Sequence, residues 1–273
     1  MEYANHKVAP MCDCQSIPGM TRRDAIAGAL VVGSAIAIGA GIAGEARAAV
    51  APAVPAVEIL PGLLIYPRDA WGADLPPAGP VEVETPQFLL VHHTASSNAY
   101  SSAAVLIQAT YAFHTSAAKG WSDVCYEFFI GRDGDVWEGR AGALTGPVVA
   151  DATGGSQGFA QLICLLGDFT SQLPTDAALA SLVNVLAWLS GRYDIDIGDN
   201  AATSFVSRGS QRWPAGTPVT TNTIAGHRDM SFTECPGNAL YPLLPEIRAR
   251  AVAQREVWRP ILKPARRLGV VTL

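Results

Sequence analysis

Three short apolar runs constrain this chain more than anything else in it: Gln87 to Val91 (QFLLV), Asp123 to Ile130 (DVCYEFFI) and Ala160 to Leu166 (AQLICLL). Each is too brief for a helix, and the first is bounded by Pro86 and by Ser96-Ser97-Asn98, as a buried strand would be. Gly131-Arg132-Asp133-Gly134 then turns the second run into Val136-Trp137-Glu138, which makes a hairpin. Helical spacing appears between and after them. A helix is expected from Ser101 to about Thr115. A second starts at Thr175, a capping residue followed by Asp176, and carries Leu179, Leu182, Val183, Leu186 and Leu189 on one face to about Tyr193. Thr223 to Gly226 reads as a short strand. A final helix from Ala239 to about Gln254 is interrupted near Pro242 and Pro245. The expected fold class is α/β, a mixed central sheet flanked by helices.

The 273 residues are 49% apolar and 16% charged, enough for one sizeable core or two small ones. That balance excludes disorder, collagen and coiled coil. A formal net charge of −5 gives no reason to expect a nucleic-acid partner. Lysine occurs only at Lys7, Lys119 and Lys263, so fixed positive charge facing an anionic substrate comes mostly from arginine.

The first 48 residues read as an address. Thr21-Arg22-Arg23-Asp24 precedes the uncharged stretch Ala25 to Gly44, which ends in Glu45-Ala46-Arg47-Ala48-Ala49. Paired arginines before a mild Ala/Gly-rich run, closed by an Ala-x-Ala site, indicate a twin-arginine signal peptide cleaved after Ala48. A retained anchor is the alternative, although Ala and Gly insert weakly into a bilayer. After cleavage no stable membrane insertion is expected, and the product is exported to periplasm, cell wall or medium. Residues 49–65 read as a Pro/Ala-rich linker, 66–255 as the folded domain and 256–273 as a tail. Residues 194 to 221 read as a long irregular insertion of the kind that shapes a binding surface. Export leaves Cys125, Cys164 and Cys235, an odd number, so at least one thiol has no intramolecular disulfide partner; it is either a thiol or a metal ligand.

Few residues can carry chemistry. Beyond the leader there are four histidines: His92 and His93 at the end of the first strand, His114 near the end of the first helix, and His227 after the last strand. Cys235 follows in Thr233-Glu234-Cys235-Pro236-Gly237. Two imidazoles and one thiolate from separate segments would give zinc three ligands and an open fourth position, the pattern of a catalytic site; the competing reading of each histidine is a hydrogen-bonded core residue. Neighbours on a strand point to opposite faces, so His92 and His93 do not reach one ion together. The same alternation disfavours Glu127 as a general base if Tyr126 faces the site, where its hydroxyl would donate to an oxyanion.

Seven segments in order resemble the motifs of peptidoglycan recognition proteins, a family that includes the zinc N-acetylmuramoyl-L-alanine amidases. They are Pro67 to Ala73, Val91 to Ala95, Gly120 to Phe128, Gly134 to Arg140, Leu166 to Phe169, Gly226 to Asp229 and Thr233 to Gly237. The Arg212-Trp213-Pro214 to Asp229 stretch is most similar to secreted bacterial members. The resemblance implies that fold, Zn2+ held by His92, His227 and Cys235, a catalytic Tyr126 assisted by Thr233, and a peptidoglycan or muropeptide substrate. It implies substrate contacts at His93, His114, Trp121 and Arg140, with packing or capping as the competing role for the two histidines. Asp229 is expected to cap its loop. Cys125 stands where the family usually has glycine and is expected on the face away from zinc. Cys125 and Cys164 are either two buried thiols or a disulfide. Arg140-Ala141-Gly142 replaces the Gly-Trp pair that many members carry. A peptidoglycan-binding module without turnover and a zinc peptidase acting within stem peptides are the alternative functions.

Overall fold

The computed structural model describes residues 54–151 and 154–262. The leader, its twin arginines and its Ala-x-Ala site lie outside the described residues. Among the described residues no helix is long and apolar enough to cross a membrane.

Seven strands form one mixed sheet: β1 (Val57–Leu60), β2 (Leu63–Tyr66), β3 (Phe88–His93), β4 (Phe128–Ile130), β5 (Val136–Glu138), β6 (Ala160–Leu165) and β9 (Ile224–Gly226). Their spatial order is β1-β2-β5-β4-β6-β3-β9. β3 lies parallel to β6 on one side and to β9 on the other. All six residues of β3 and all six of β6 are buried, which is why both read as continuous apolar runs. Leu89 and Val91 face the layer built by α3 (Asp176–Arg192) and α4 (Leu244–Trp258), together with Leu182, Leu186, Ile247 and Trp258. Phe88 and Leu90 face the opposite layer, with Ile107 of α2 (Ala103–His114), Tyr126 and Phe129.

Local chemistry sets the helix starts. Ser102 accepts from the Val105 amide at 3.4 Å and Thr175 from the Ala178 amide at 3.1 Å, so each cap satisfies one orphan donor. Pro242 sits in a 3-10 turn, Tyr241–Leu243, and Pro245 in the first turn of α4, where a missing amide costs nothing. A four-residue helix α1 (Asp69–Gly72) follows β2.

Four expectations are corrected. The linker at 49–65 gives way to structure from Val57, because Leu63 and Ile65 are buried and β2 pairs with β5. At the other end α4 continues past residue 255 to Trp258, whose ring is buried. The strand expected from Asp123 begins only at Phe128, since the carboxylate of Asp123 takes the amides of Val124 and Ala141 and holds that stretch out of the ladder. The irregular insertion contains a hairpin, β7 (Ala202–Val206) with β8 (Pro218–Asn222), whose Phe205 and Val219 turn inward while their neighbours stay wet.

Candidate active site

The parallel register of β3 and β9 pairs Val91 with Gly226, so the next residues, His92 and His227, emerge side by side at the carboxyl ends of adjacent strands. Their rings are 4.4 Å apart between centroids and fully buried. The loop after His227 brings Cys235 to them: its Sγ is 3.6 Å from His92 Nδ1 and receives the His93 amide at 3.4 Å. Donor atoms of His92, His227 and Cys235 all lie within 4.8 Å of one another. Bonds of about 2.0 Å to nitrogen and 2.3 Å to sulfur at tetrahedral angles separate N from S by about 3.5 Å. The Cys235–His92 separation matches that value, and two imidazoles with a thiol are a donor set that suits zinc.

Three features hold the cysteine loop. Thr233 Oγ1 accepts the Cys235 amide at 3.2 Å. Asp229 takes the Gly226 amide at 2.8 Å and the Tyr241 hydroxyl at 2.7 Å, the capping role expected of it. Gly237, at φ 104°, packs so closely that a Cβ there would stand 2.3 Å from the Phe169 carbonyl.

From the trio a row of rings leads outward. Tyr126 lies 5.1 Å from His92, His114 lies 5.8 Å from Tyr126, and the half-buried Trp121 lies 4.7 Å from His114. Cys125 does not turn away from this row. Because 123–127 is no strand, alternation does not govern it, and its Sγ sits 3.8 Å from His114 Nε2 while its amide donates to His114 Nδ1. Among the described residues Cys125, Cys164 and Cys235 are all buried and none is in a disulfide, which settles the Cys125–Cys164 alternative as two thiols.

Three residues expected to contact substrate are tied into the framework. His93, on the far side of the strand from His92, accepts the Phe169 amide and is 3% exposed. Arg140 is buried against Asp151 at 2.6 Å and donates to Val124 and Ser122. His114 is 5% exposed and orients the Cys125 amide, although its ring belongs to the row. Sequence reading also missed the brace at the start of the 123–127 stretch, Arg68 paired with Asp123 at 2.9 Å, because the two are 55 residues apart. No local pattern announces such a pair.

Glu127 takes no part in the cluster. Its Oε2 accepts the Leu162 amide at 2.7 Å, and complete burial pushes its carboxyl up to about 8. The folded protein therefore holds this proton more tightly than the unfolded chain does. Stability from this group is full below about pH 4.5 and is lost as pH rises toward 8, at no more than about 1.4 kcal/mol per pH unit. Urea denaturation of Glu127→Gln and wild type across that range is expected to show the variant gaining relative stability as pH rises; parallel curves would contradict the assignment.

A mixed sheet that gathers two imidazoles and a thiolate at parallel strand ends defines an α/β protein with a candidate metal centre. The N-acetylmuramoyl-L-alanine amidase family matches residues 82–238, more than half of the chain, and the protein belongs to that family. The Homo sapiens N-acetylmuramoyl-L-alanine amidase is 31% identical over 186 residues, covering 66% of this chain and 27% of the relative. Mouse peptidoglycan recognition protein 1 is also 31% identical over 186 residues, covering 66% of this chain and 85% of its own. This chain thus spans 26–30% of the length of the mammalian amidases it matches. Drosophila peptidoglycan recognition protein SD shares the fold, with a TM-score of 0.51 at 21% identity over 67% of this chain and 93% of its own.

Proposed function

We propose that this protein is a zinc-dependent N-acetylmuramoyl-L-alanine amidase, exported by its leader, that hydrolyses the amide between muramic acid and L-alanine in peptidoglycan or muropeptides. The observation that carries the reading is the buried convergence of His92, His227 and Cys235 beside Tyr126. When bound, zinc supplies a Lewis acid and lowers the pKa of water at the open position. The chain's own groups do the rest. Cys235 enters as a thiolate, favoured by the His93 amide that points at its sulfur. Tyr126 donates its phenolic proton to the oxygen that gains charge as the amide carbonyl becomes tetrahedral. Thr233 orients the cysteine loop through the Cys235 amide. The half-buried Trp121, at the outer end of the ring row, offers a stacking face to the substrate.

The relatives named as recognition proteins support a second reading, binding without turnover. Retention of all three donors favours the enzyme. Digestion of purified peptidoglycan with and without chelator, followed by mass analysis, separates the two. Intact stem peptides with a free L-alanine amino terminus, lost on chelation and restored by zinc, are expected; a zinc-free protein that binds polymer and releases nothing would make it a recognition module, and cuts further along the stem would make it a peptidase. Tyr126→Phe is expected to lower kcat by roughly a hundred- to a thousandfold with KM nearly unchanged. Unchanged kcat in that variant would remove Tyr126 from the chemistry.

A further inference from the structure

The 207–217 loop between β7 and β8 is fastened onto the loop that carries the metal donors. Ser210 Oγ donates to the Met230 carbonyl at 3.1 Å, Trp213 Nε1 to the Asp229 carbonyl at 3.0 Å, and Arg212 Nη1 to the Arg228 carbonyl. Between the two loops lies an open pocket of about 620 Å³ walled by Arg212, Arg228, Phe232, Thr233, Glu234 and Tyr241. It adjoins the cysteine directly: Arg228 Nε reaches the Cys235 carbonyl at 3.4 Å, and Thr233 holds the Cys235 amide.

Both guanidiniums have a ring on one face and a backbone acceptor at one edge. Arg212 lies over Trp213 at 5.3 Å and Arg228 over Tyr241 at 4.5 Å, and their backbone acceptors hold one edge of each. Neither is within ion-pair distance of a carboxylate among the described residues. The Asp229 carboxylate is already engaged by Gly226 and Tyr241, which leaves exposed Glu234 as the other acid of the wall. Phe232 stands at the rim, 71% exposed, a large apolar face in water next to Thr233. Two preorganised planar cations beside an uncovered ring make a site for an oxyanion attached to an apolar-faced group, the geometry in which arginine outperforms lysine.

We propose that this pocket is a substrate subsite in which Arg212 and Arg228 bind a carboxylate or phosphate carried by the muropeptide while Phe232 packs against the adjoining sugar face. The inference rests on the amidase reading and adds to it a preference for anionic substrate, set by the 207–217 loop. The two sources of the oxyanion are a free carboxylate of the stem and a phosphate on the muramic acid.

The test uses the full chain with zinc and three disaccharide-tripeptide probes that end in an L-alanine carboxamide and so have no C-terminal charge: D-glutamate at the second position, its D-isoglutamine counterpart, and the D-isoglutamine form bearing a 6-phosphate on muramic acid. Wild type is expected to favour one of the anionic probes over the neutral one. Arg212→Gln should raise KM for that probe roughly tenfold with kcat within about twofold, and raise KM for the neutral probe by a much smaller factor. Phe232→Ala, on an exposed position that the fold does not need, should weaken binding severalfold for all three. Loss of the D-glutamate advantage assigns the carboxylate; loss of the phosphate advantage assigns the phosphate. A wild type indifferent to probe charge, or an Arg212→Gln protein weakened equally on all probes, would overturn the subsite. If no probe is turned over and the polymer digest releases no stem peptide either, the amidase reading fails, and calorimetric binding of the same probes still reads the charge preference.

Discussion

Cys235→Ala is expected to lose zinc and amide hydrolysis together, with zinc affinity and kcat/KM each down by at least roughly a thousandfold. Structural zinc sites yield on the order of 10–16 kcal/mol from four ligands, so one thiolate among three protein donors carries several kcal/mol. The remaining pair, His92 and His227, would hold the ion too weakly to acidify water near neutral pH. The same substitution removes little from the fold. Cys235 is 2% exposed, but its loop stays anchored through Arg228, which bonds the residue's backbone from both its amide and its side chain. Metal analysis after dialysis and a peptidoglycan digest would therefore show metal and activity gone, while a urea melt of the variant would match zinc-stripped wild type and fall below the zinc-loaded protein by the lost binding energy. Full turnover with Cys235 absent would sink the zinc assignment.

The second large effect is on stability. Asp123 is 1% exposed, and its two oxygens take Arg68 Nη2 at 2.9 Å, the Val124 amide at 2.7 Å and the Ala141 amide at 3.0 Å. Arg68 in turn donates to the Gly139 and Leu75 carbonyls and stacks on Trp71 at 4.7 Å. Replacing Asp123 with alanine strands the guanidinium and two amides in a dry interior, at a cost of about 3–5 kcal/mol. For a domain of this size that lowers Tm by roughly 10 °C. Asp123→Asn, which keeps an acceptor, is expected to lose less. Differential scanning calorimetry of the three proteins is the measurement, and a Tm within about 2 °C of wild type for Asp123→Ala would show that the brace contributes nothing. Tyr126 lies three residues along, and its carbonyl accepts the Arg140 amide, so a surviving Asp123→Ala protein should also lose kcat.

Much of this was readable from the chain, for reasons that differ by element. β3 and β6 announce themselves because strands buried on both faces have no polar alternation to hide them. α3 was legible from Thr175, a cap whose chemistry is local, and from the apolar spacing behind it, whereas the Ser102 cap of α2 came only from the structure. β1 escaped because VEIL follows a Pro/Ala-rich stretch and two of its four residues are exposed; what makes it a strand is the partner β2, not its own pattern. β7 and β8 escaped for the same reason, each exposing three of five residues.

The site divides along the same line. The kinds of donor, two imidazoles and a thiol, are set by residue identity, and side-chain alternation along a strand dictates that His92 and His93 do not both reach the site; that His92 is the one was implied by the family resemblance. Sequence alone thus determined what could bind and that the paired histidines would divide between two faces. Only the tertiary structure decided that the donors meet: His92 and Cys235 are 143 residues apart, and they converge because β9 enters the sheet beside β3 in a register that sets Gly226 against Val91. Tertiary packing likewise withdrew His93 and Arg140 into the framework and set Arg212 next to the loop that leads to Cys235. Directions propagate locally through backbone geometry, whereas distances between remote segments depend on strand order and register, which burial of the whole core selects.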